Sequence, residues 1–209
     1  MIRILMASLI GCIIFISAAV AFALSGNVNG TWTSGSVITI DGDVQIIAGE
    51  TLIIEPGVQI KFIGPYEFII QGRLEAVGIS DNPILFTRAF ATNESKWRGL
   101  RFATADDASI IEYCIIEYAY RDGGYPQVRG GAVWIDICSP AVRYCTLRYN
   151  YSRNSNYNGA GSGVCLNANS NSVVEYNNIE LNKADSGGGI FIGNDCDAVI
   201  RYNRIINNE

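Results

Sequence analysis

The sequence predicts an all-β solenoid in which short strands of successive copies lie side by side in parallel, and three observations predict it. An eleven-residue phrase occurs four times, as SIIEYCIIEYA from Ser109, PAVRYCTLRYN from Pro140, SVVEYNNIELN from Ser172 and AVIRYNRIINN from Ala198. Two columns of that phrase are apolar in every copy: Ile111, Val142, Val174 and Ile200, then Ile116, Leu147, Ile179 and Ile205. The charges beside them alternate in sign from copy to copy, as Glu112, Arg143, Glu175 and Arg201, and as Glu117, Arg148 and Glu180.

The two apolar columns are an odd number of residues apart, and a flat strand would send them to opposite faces. Both point inward only if the chain bends between them, so each phrase is two short strands meeting at a corner. Copies stacked about 4.8 Å apart would set each charge beside an opposite one. Such pairs add little stability but penalise a slipped register. The bend holds Cys114, Cys145, Asn177 and Asn203 in one column and Tyr113, Tyr144, Tyr176 and Tyr202 in another. Asn suits a repeated turn because it tolerates left-handed backbone and bonds locally, and stacked amides could also bond between copies. The two cysteines read as small buried fillers.

A third strand precedes each phrase. GGAVWI from Gly130, GSGVCL from Gly161 and GGGIFI from Gly187 align with RGLRF from Arg98, so Leu100, Val133, Val164 and Ile190 form an inward column. The glycines before these strands predict tight turns or close backbone approach. The first half follows the same grammar, with three-strand copies over Val44–Phe62 and Phe68–Phe86 and turns at Pro56-Gly57, Gly72-Arg73 and Asp81–Pro83. About six coils of three strands result. Residues 89–97, 119–129 and 151–160 are expected to be loops.

Residues 1–23 are set apart from the fold. Arg3, a long apolar run and Ala21-Phe22-Ala23 have the pattern of a secretory signal peptide; a retained membrane anchor is the alternative, and Leu9-Ile10-Gly11-Cys12 is similar to a lipoprotein processing site. The expected division is 1–23 signal peptide, 24–34 lead-in and 35–209 solenoid, with a secreted, cell-surface or periplasmic location. The repeat runs to the last residues without a cap, which predicts further coils or a partner at that edge.

The net charge is −5 and there is no histidine. This acidic balance leaves no footprint for nucleic acid, and no membrane partner is expected beyond the signal segment. Five cysteines remain after cleavage, an odd number that leaves at least one outside any internal disulfide. Asn29, Asn93 and Asn150 stand in glycosylation-type triplets.

TLIIEPGVQIKF at 51–62, GRLEAVGISDNPILFT at 72–87, WRGLRF at 97–102 and the repeated phrase together resemble the right-handed parallel β-helix proteins of the pectate-lyase-like superfamily. That resemblance, covering about Gly35 to Asn208, implies the right-handed winding. It specifies the fold more closely than the function, since this coil hosts lyases, hydrolases, adhesins and passive stalks. Relatives of the polygalacturonase type carry Asn-Thr-Asp, Asp-Asp and Gly-His-Gly motifs. Here Asp106-Asp107 is the only such pair, and its histidine companion is missing. A lyase arrangement of acidic calcium ligands and an arginine base would draw on Asp106, Asp107, Asp136, Asp195 and Asp197, with Arg143 or Arg201. Aspartates at turns are common for local reasons. No residue is assigned as catalytic, and no cofactor is identified.

The ligand-binding candidates are Arg101, Trp134 and Phe191, which fall with Cys165 in one outward column, together with Tyr125 and Tyr157 from the adjoining loops. An exposed row of this kind offers a stacking surface to sugar rings. The alternative is that loops 119–129 and 151–160 fold over the row and bury it.

Overall fold

In the computed structural model, which describes residues 23–91, 96–124, 127–156 and 158–209, the chain is all-β, and no helix occurs among the described residues. The first half contains β1 (Ala23–Asn27), β2 (Gly30–Trp32), β3 (Val37–Ile46), β4 (Thr51–Ile54), β5 (Gln59–Phe62), β6 (Phe68–Ile70), β7 (Arg73–Val77) and β8 (Ile84–Arg88). A four-strand unit follows, β9 (Leu100–Ala103), β10 (Ile110–Glu112), β11 (Cys114–Glu117) and β12 (Tyr120–Arg121). It recurs as β13 (Val133–Asp136), β14 (Ala141–Arg143), β15 (Thr146–Arg148) and β16 (Tyr151–Ser152), and again as β17 (Val164–Asn167), β18 (Val173–Glu175), β19 (Asn178–Glu180) and β20 (Lys183–Ala184). The last copy supplies β21 (Ile190–Ile192), β22 (Val199–Arg201) and β23 (Arg204–Ile206).

Every strand pairing is parallel. One sheet runs β21-β17-β13-β9-β6-β3-β5-β8-β11-β15-β19-β23, with β1 beside β3; a second runs β2-β4-β7-β10-β14-β18-β22; a third joins β12, β16 and β20. The long β3 serves two faces, because Val37–Ile40 pair with β5 and Val44–Ile46 with β6. Two arms of one sheet and the second sheet thus curl around a shared core, consistent with an all-β parallel solenoid.

The register agrees with the repeat in the sequence. Ile111 pairs with Val142, Val142 with Val174 and Val174 with Ile200. Ile116, Leu147, Ile179 and Ile205 form the next file, and Leu100, Val133, Val164 and Ile190 the third. These files are buried through Val174, Ile179 and Val164, whereas Ile205 in the last copy is 47% exposed. The first half fills its interior with larger rings. Trp97 is fully buried, stacks on Phe62 at 4.4 Å between centroids, and donates its indole N–H to the Glu117 carbonyl at 2.9 Å. Burying a ring of this size contributes about 2–3 kcal/mol, and the bonded N–H avoids the cost of an orphaned donor.

The corner between the two strands of each phrase is a residue in left-handed backbone: Tyr113, Tyr144, Tyr176 and Tyr202 have φ of 47°, 50°, 57° and 57°. The glycines do the two jobs expected of them. Gly161 has φ 64°, and a Cβ on Gly163 would lie 2.3 Å from the Gly189 carbonyl oxygen.

Two features depart from the sequence reading. The segments 119–129 and 151–160, expected to be loops, each open with a two-residue strand, and with Lys183–Ala184 these build the third sheet. The alternation is short, so no hydrophobic period marks it; the pairing follows from the stacking of what precedes it. Within the 24–34 lead-in, β1 and β2 pair with β3 and β4 and continue the sheets. The signal segment, Asn93, Tyr125 and Tyr157 lie outside the described residues, apart from Ala23, which begins β1.

Candidate functional site

The outward side of β9, β13, β17 and β21 carries the ligand-binding candidates Arg101, Trp134 and Phe191. In-register pairing sets Arg101, Trp134, Cys165 and Phe191 in one file, as strand alternation dictates once Leu100, Val133, Val164 and Ile190 point inward. The strand β12 crosses beside this file and brings Arg121 to it. Trp134 is 2% exposed, and Cys165 is fully buried. The Arg101 guanidinium lies 4.5 Å from the Trp134 ring centroid and that of Arg121 lies 5.3 Å from it. At this end of the row the indole is covered by cations instead of being open to a sugar ring.

Phe191 keeps partial exposure. It lines a cavity of about 270 Å³ with Arg129, Asn167, Ala168, Gly193, Asn194 and Asp195. Arg129 donates to Asn167 Oδ1 and holds its guanidinium 5.5 Å from the Phe191 ring, while Asn167 Nδ2 donates to Asp136 Oδ1 at 2.8 Å. One polar chain therefore runs from Asp136 through Asn167 to Arg129 along the edge of an aromatic ring. Asp195, at φ 57°, closes the cavity from the turn after β21.

Arg121 is a buried cation, 3% exposed. It pairs with Glu67 and donates from Nη1 to the Gln127 carbonyl at 3.3 Å. Burial works against its charge; Glu67 favours it, and Arg101 and Arg98 oppose it, leaving the guanidinium pKa below its ordinary value. The thiol of Cys165 is pushed up to about 12, chiefly by burial, with Arg129 and Arg121 pulling the other way. It is a packing group and not a nucleophile at neutral pH. The five described cysteines are all free.

Of the aspartates considered for a metal, Asp106 bonds within its own turn, whereas Asp107 and Asp136 accept from the next copy. Asp106 Oδ1 accepts the Ala108 N–H at 2.8 Å, and Asp107 Oδ1 accepts the Ser139 N–H at 2.6 Å. Asp106 also borders a cavity of about 310 Å³ with Glu50, Arg73 and Thr104, away from the Phe191 cavity. No group of three metal-ligating side chains occurs among the described residues. The backbone N–H of Asp197 donates to Asn171 Oδ1 of the preceding copy at 2.7 Å. Arg143 and Arg201 both pair with Glu175, at 3.1 and 2.7 Å, on the second sheet. Neither arginine belongs to the face that carries Phe191. Of the sequons, Asn29 is exposed, whereas Asn150 is 1% exposed and its amide bonds inside the fold.

Arg129, Asn167 and Arg121 were not legible as members of the site. Their signal is only positional: Asn167 follows the inward Leu166, and Arg129 and Arg121 bracket a loop that precedes the aromatic strand. No protein-family model matches the chain, and no curated protein or solved structure matches it.

Proposed function

We propose that the chain is a right-handed parallel β-helix of about six three-strand coils, resembling the pectate-lyase-like superfamily, and that it acts as a secreted or cell-surface scaffold that binds carbohydrate. The Phe191 cavity supports this reading best. It joins a half-exposed ring to Arg129, Asn167 and Asp195, the pairing of one apolar face with fixed polar groups that a sugar ring requires. Trp134, packed under Arg101 and Arg121, serves as a structural ring on the same face. Asp106 and Asp107 serve as turn residues.

A glycan array probed with the chain tests the proposal. Binding to one class of glycan is expected, with at least tenfold loss in Phe191→Ala and an unchanged melting temperature. No binding across the array, or binding indifferent to both Phe191→Ala and Asp195→Ala, overturns it. Release of an unsaturated, ultraviolet-absorbing product from a bound polysaccharide would replace the scaffold by a polysaccharide lyase.

A further inference from the structure

Tyrosines of successive copies stack in three files: Tyr113, Tyr144, Tyr176 and Tyr202, then Tyr118 and Tyr149, then Tyr120 and Tyr151. In the longest file the ring centroids are 4.9, 5.0 and 4.9 Å apart, and the planes of Tyr144 and Tyr176 are within 5° of parallel. A phenol is more than this corner needs. Glycine or asparagine takes a left-handed φ at lower cost, and Leu181 holds the equivalent corner after β19 without a ring. Tyr144 and Tyr176 have a ring against each face, so their exposure, 41% and 45%, lies along the ring edges. The edge of a tyrosine carries the hydroxyl and the two carbons ortho to it. Because the copies pair in register up to Arg143 and Glu175, each such carbon of Tyr144 has its counterpart in the next ring beside it. The shorter files are less ready to lose an electron. The Arg88 guanidinium lies 4.3 Å from the Tyr118 centroid and the Lys96 ammonium 3.6 Å from that of Tyr120, and a cation over a ring holds the ring's electrons more tightly. Burial, with Asp122 adding to it, raises the Tyr120 phenol pKa, so its proton leaves less readily. Arg201 lies 5.6 Å from the Tyr202 centroid at the end of the long file, which leaves Tyr144 and Tyr176 as its central pair.

The geometry points to the Tyr144–Tyr176 contact as a site of oxidative modification, at which a one-electron oxidant of the haem-peroxidase class, fed with hydrogen peroxide, joins the two rings as dityrosine. Each phenol gives up one electron and its hydroxyl proton. The two phenoxyl radicals form one carbon–carbon bond between ortho positions. The hydrogen on each joined carbon then moves to that ring's oxygen, which restores two phenols. Two hydrogen atoms leave in all, and one peroxide takes both and becomes two waters. Radicals held side by side couple ahead of radicals that must meet by diffusion. The rings have to turn from face-to-face to edge-to-edge; their edges are the exposed part, and each ring swings on its own Cα–Cβ bond while the paired backbone stays in place. The new bond runs alongside the pairing of β14 with β18 and ties the two copies covalently. This inference is independent of the ligand reading of the Phe191 face.

The test treats the dilute chain with a haem peroxidase and hydrogen peroxide, beside a sample unfolded in urea and a tube of free tyrosine that confirms the oxidant couples phenols. Monomer is recovered under denaturing conditions, digested, and searched by mass spectrometry for linked peptides two hydrogens lighter than their sum. A Tyr144–Tyr176 link is expected as the main product of the native monomer, at least tenfold above any pair from outside the file. That preference should vanish in urea. Tyr144→Phe/Tyr202→Phe keeps four rings in the file but leaves no two phenols adjacent in it. The dityrosine fluorescence of its native monomer should fall at least fivefold, with an unchanged circular dichroism spectrum. If that variant fails to fold, the comparison of native with unfolded wild-type chain still decides. Links formed only between chains, a main product other than Tyr144–Tyr176, the same pattern of links with and without urea, or no link while free tyrosine couples would each overturn the inference.

Discussion

Asn177 shows how a single side chain can tie its own copy to the copies on either side. Its Oδ1 accepts the Cys145 N–H at 2.8 Å, and its Nδ2 donates to the Val142 carbonyl at 2.9 Å and to Asn203 Oδ1 at 3.0 Å. Asn150, Asn182 and Asn208 build a second ladder of the same form at the far end of each phrase. Where the first column changes to cysteine, the thiols take over part of the amide's role: Cys145 Sγ donates to the Ile111 carbonyl at 3.5 Å, and Cys114 Sγ to the Ala76 carbonyl at 3.5 Å. Asn177→Ala should therefore cost about 3 kcal/mol in urea unfolding, because a buried N–H and a buried carbonyl both lose their partners. Cys145→Asn, close in volume, should cost nothing measurable or stabilise by up to about 1 kcal/mol, since it extends the ladder. Equal losses in the two variants would contradict the ladder. The asparagines were legible from the sequence as turn residues, and the idea of bonds between stacked amides was too. That cysteine could stand in for the donor was not, because its thiol bond appears only once the carbonyl of the preceding copy is in place.

At the scale of the element, each corner sets an unfavourable backbone conformation against stacking. A bulky residue in the left-handed region costs about 1–2 kcal/mol. Tyr144 and Tyr176 offset this by stacking, with centroids 5.0 Å apart, within a file that runs from Tyr113 to Tyr202. Offset stacking of this kind contributes about 0.5–1.5 kcal/mol per pair. Leu181 occupies the equivalent corner after β19 at φ 57°, is 41% exposed, and has no ring to stack. Leu181→Gly should therefore stabilise the chain by about 1 kcal/mol, as chemical denaturation would read; a loss of that size would show that Leu181 packs in a way its exposure hides. The strand charges give a second element-scale expectation. Glu175 is 6% exposed between Arg143 and Arg201. Glu175→Gln should lower stability by about 1 kcal/mol, and Glu175→Arg, which places three cations in register, by clearly more. A smaller effect for the arginine would mean the pairs are incidental. The sign alternation made this stripe readable. The third sheet was unreadable for the opposite reason: Tyr120–Arg121, Tyr151–Ser152 and Lys183–Ala184 share no apolar period, and only the stacking of the copies brings them together.

Across the whole molecule, the second half was more legible than the first because it repeats nearly the same residues in each copy. There the inward files could be aligned by eye and agree with the pairing register. In the first half the same interior is filled by Phe62, Phe68, Phe86 and Trp97, whose sizes vary so much that packing replaces repetition as the organising pattern. The face carrying Phe191 was legible as a column, but its covering was not, since whether a loop folds over Trp134 depends on Arg121 reaching Glu67 from far along the chain. All of these statements depend on successive copies lying in register. The most direct measurement is disulfide trapping between paired positions on neighbouring strands. Arg143→Cys with Glu175→Cys places two thiols on directly paired residues, about 4.8 Å apart, a separation a disulfide spans. Mild oxidation should give an intramolecular 143–175 bond within the monomer, mapped by peptide mass spectrometry. Arg143→Cys with Tyr176→Cys, one residue out of register, should give far less. Equal trapping of the two pairs, or trapping only of the second, would contradict the stacked register on which the account is built.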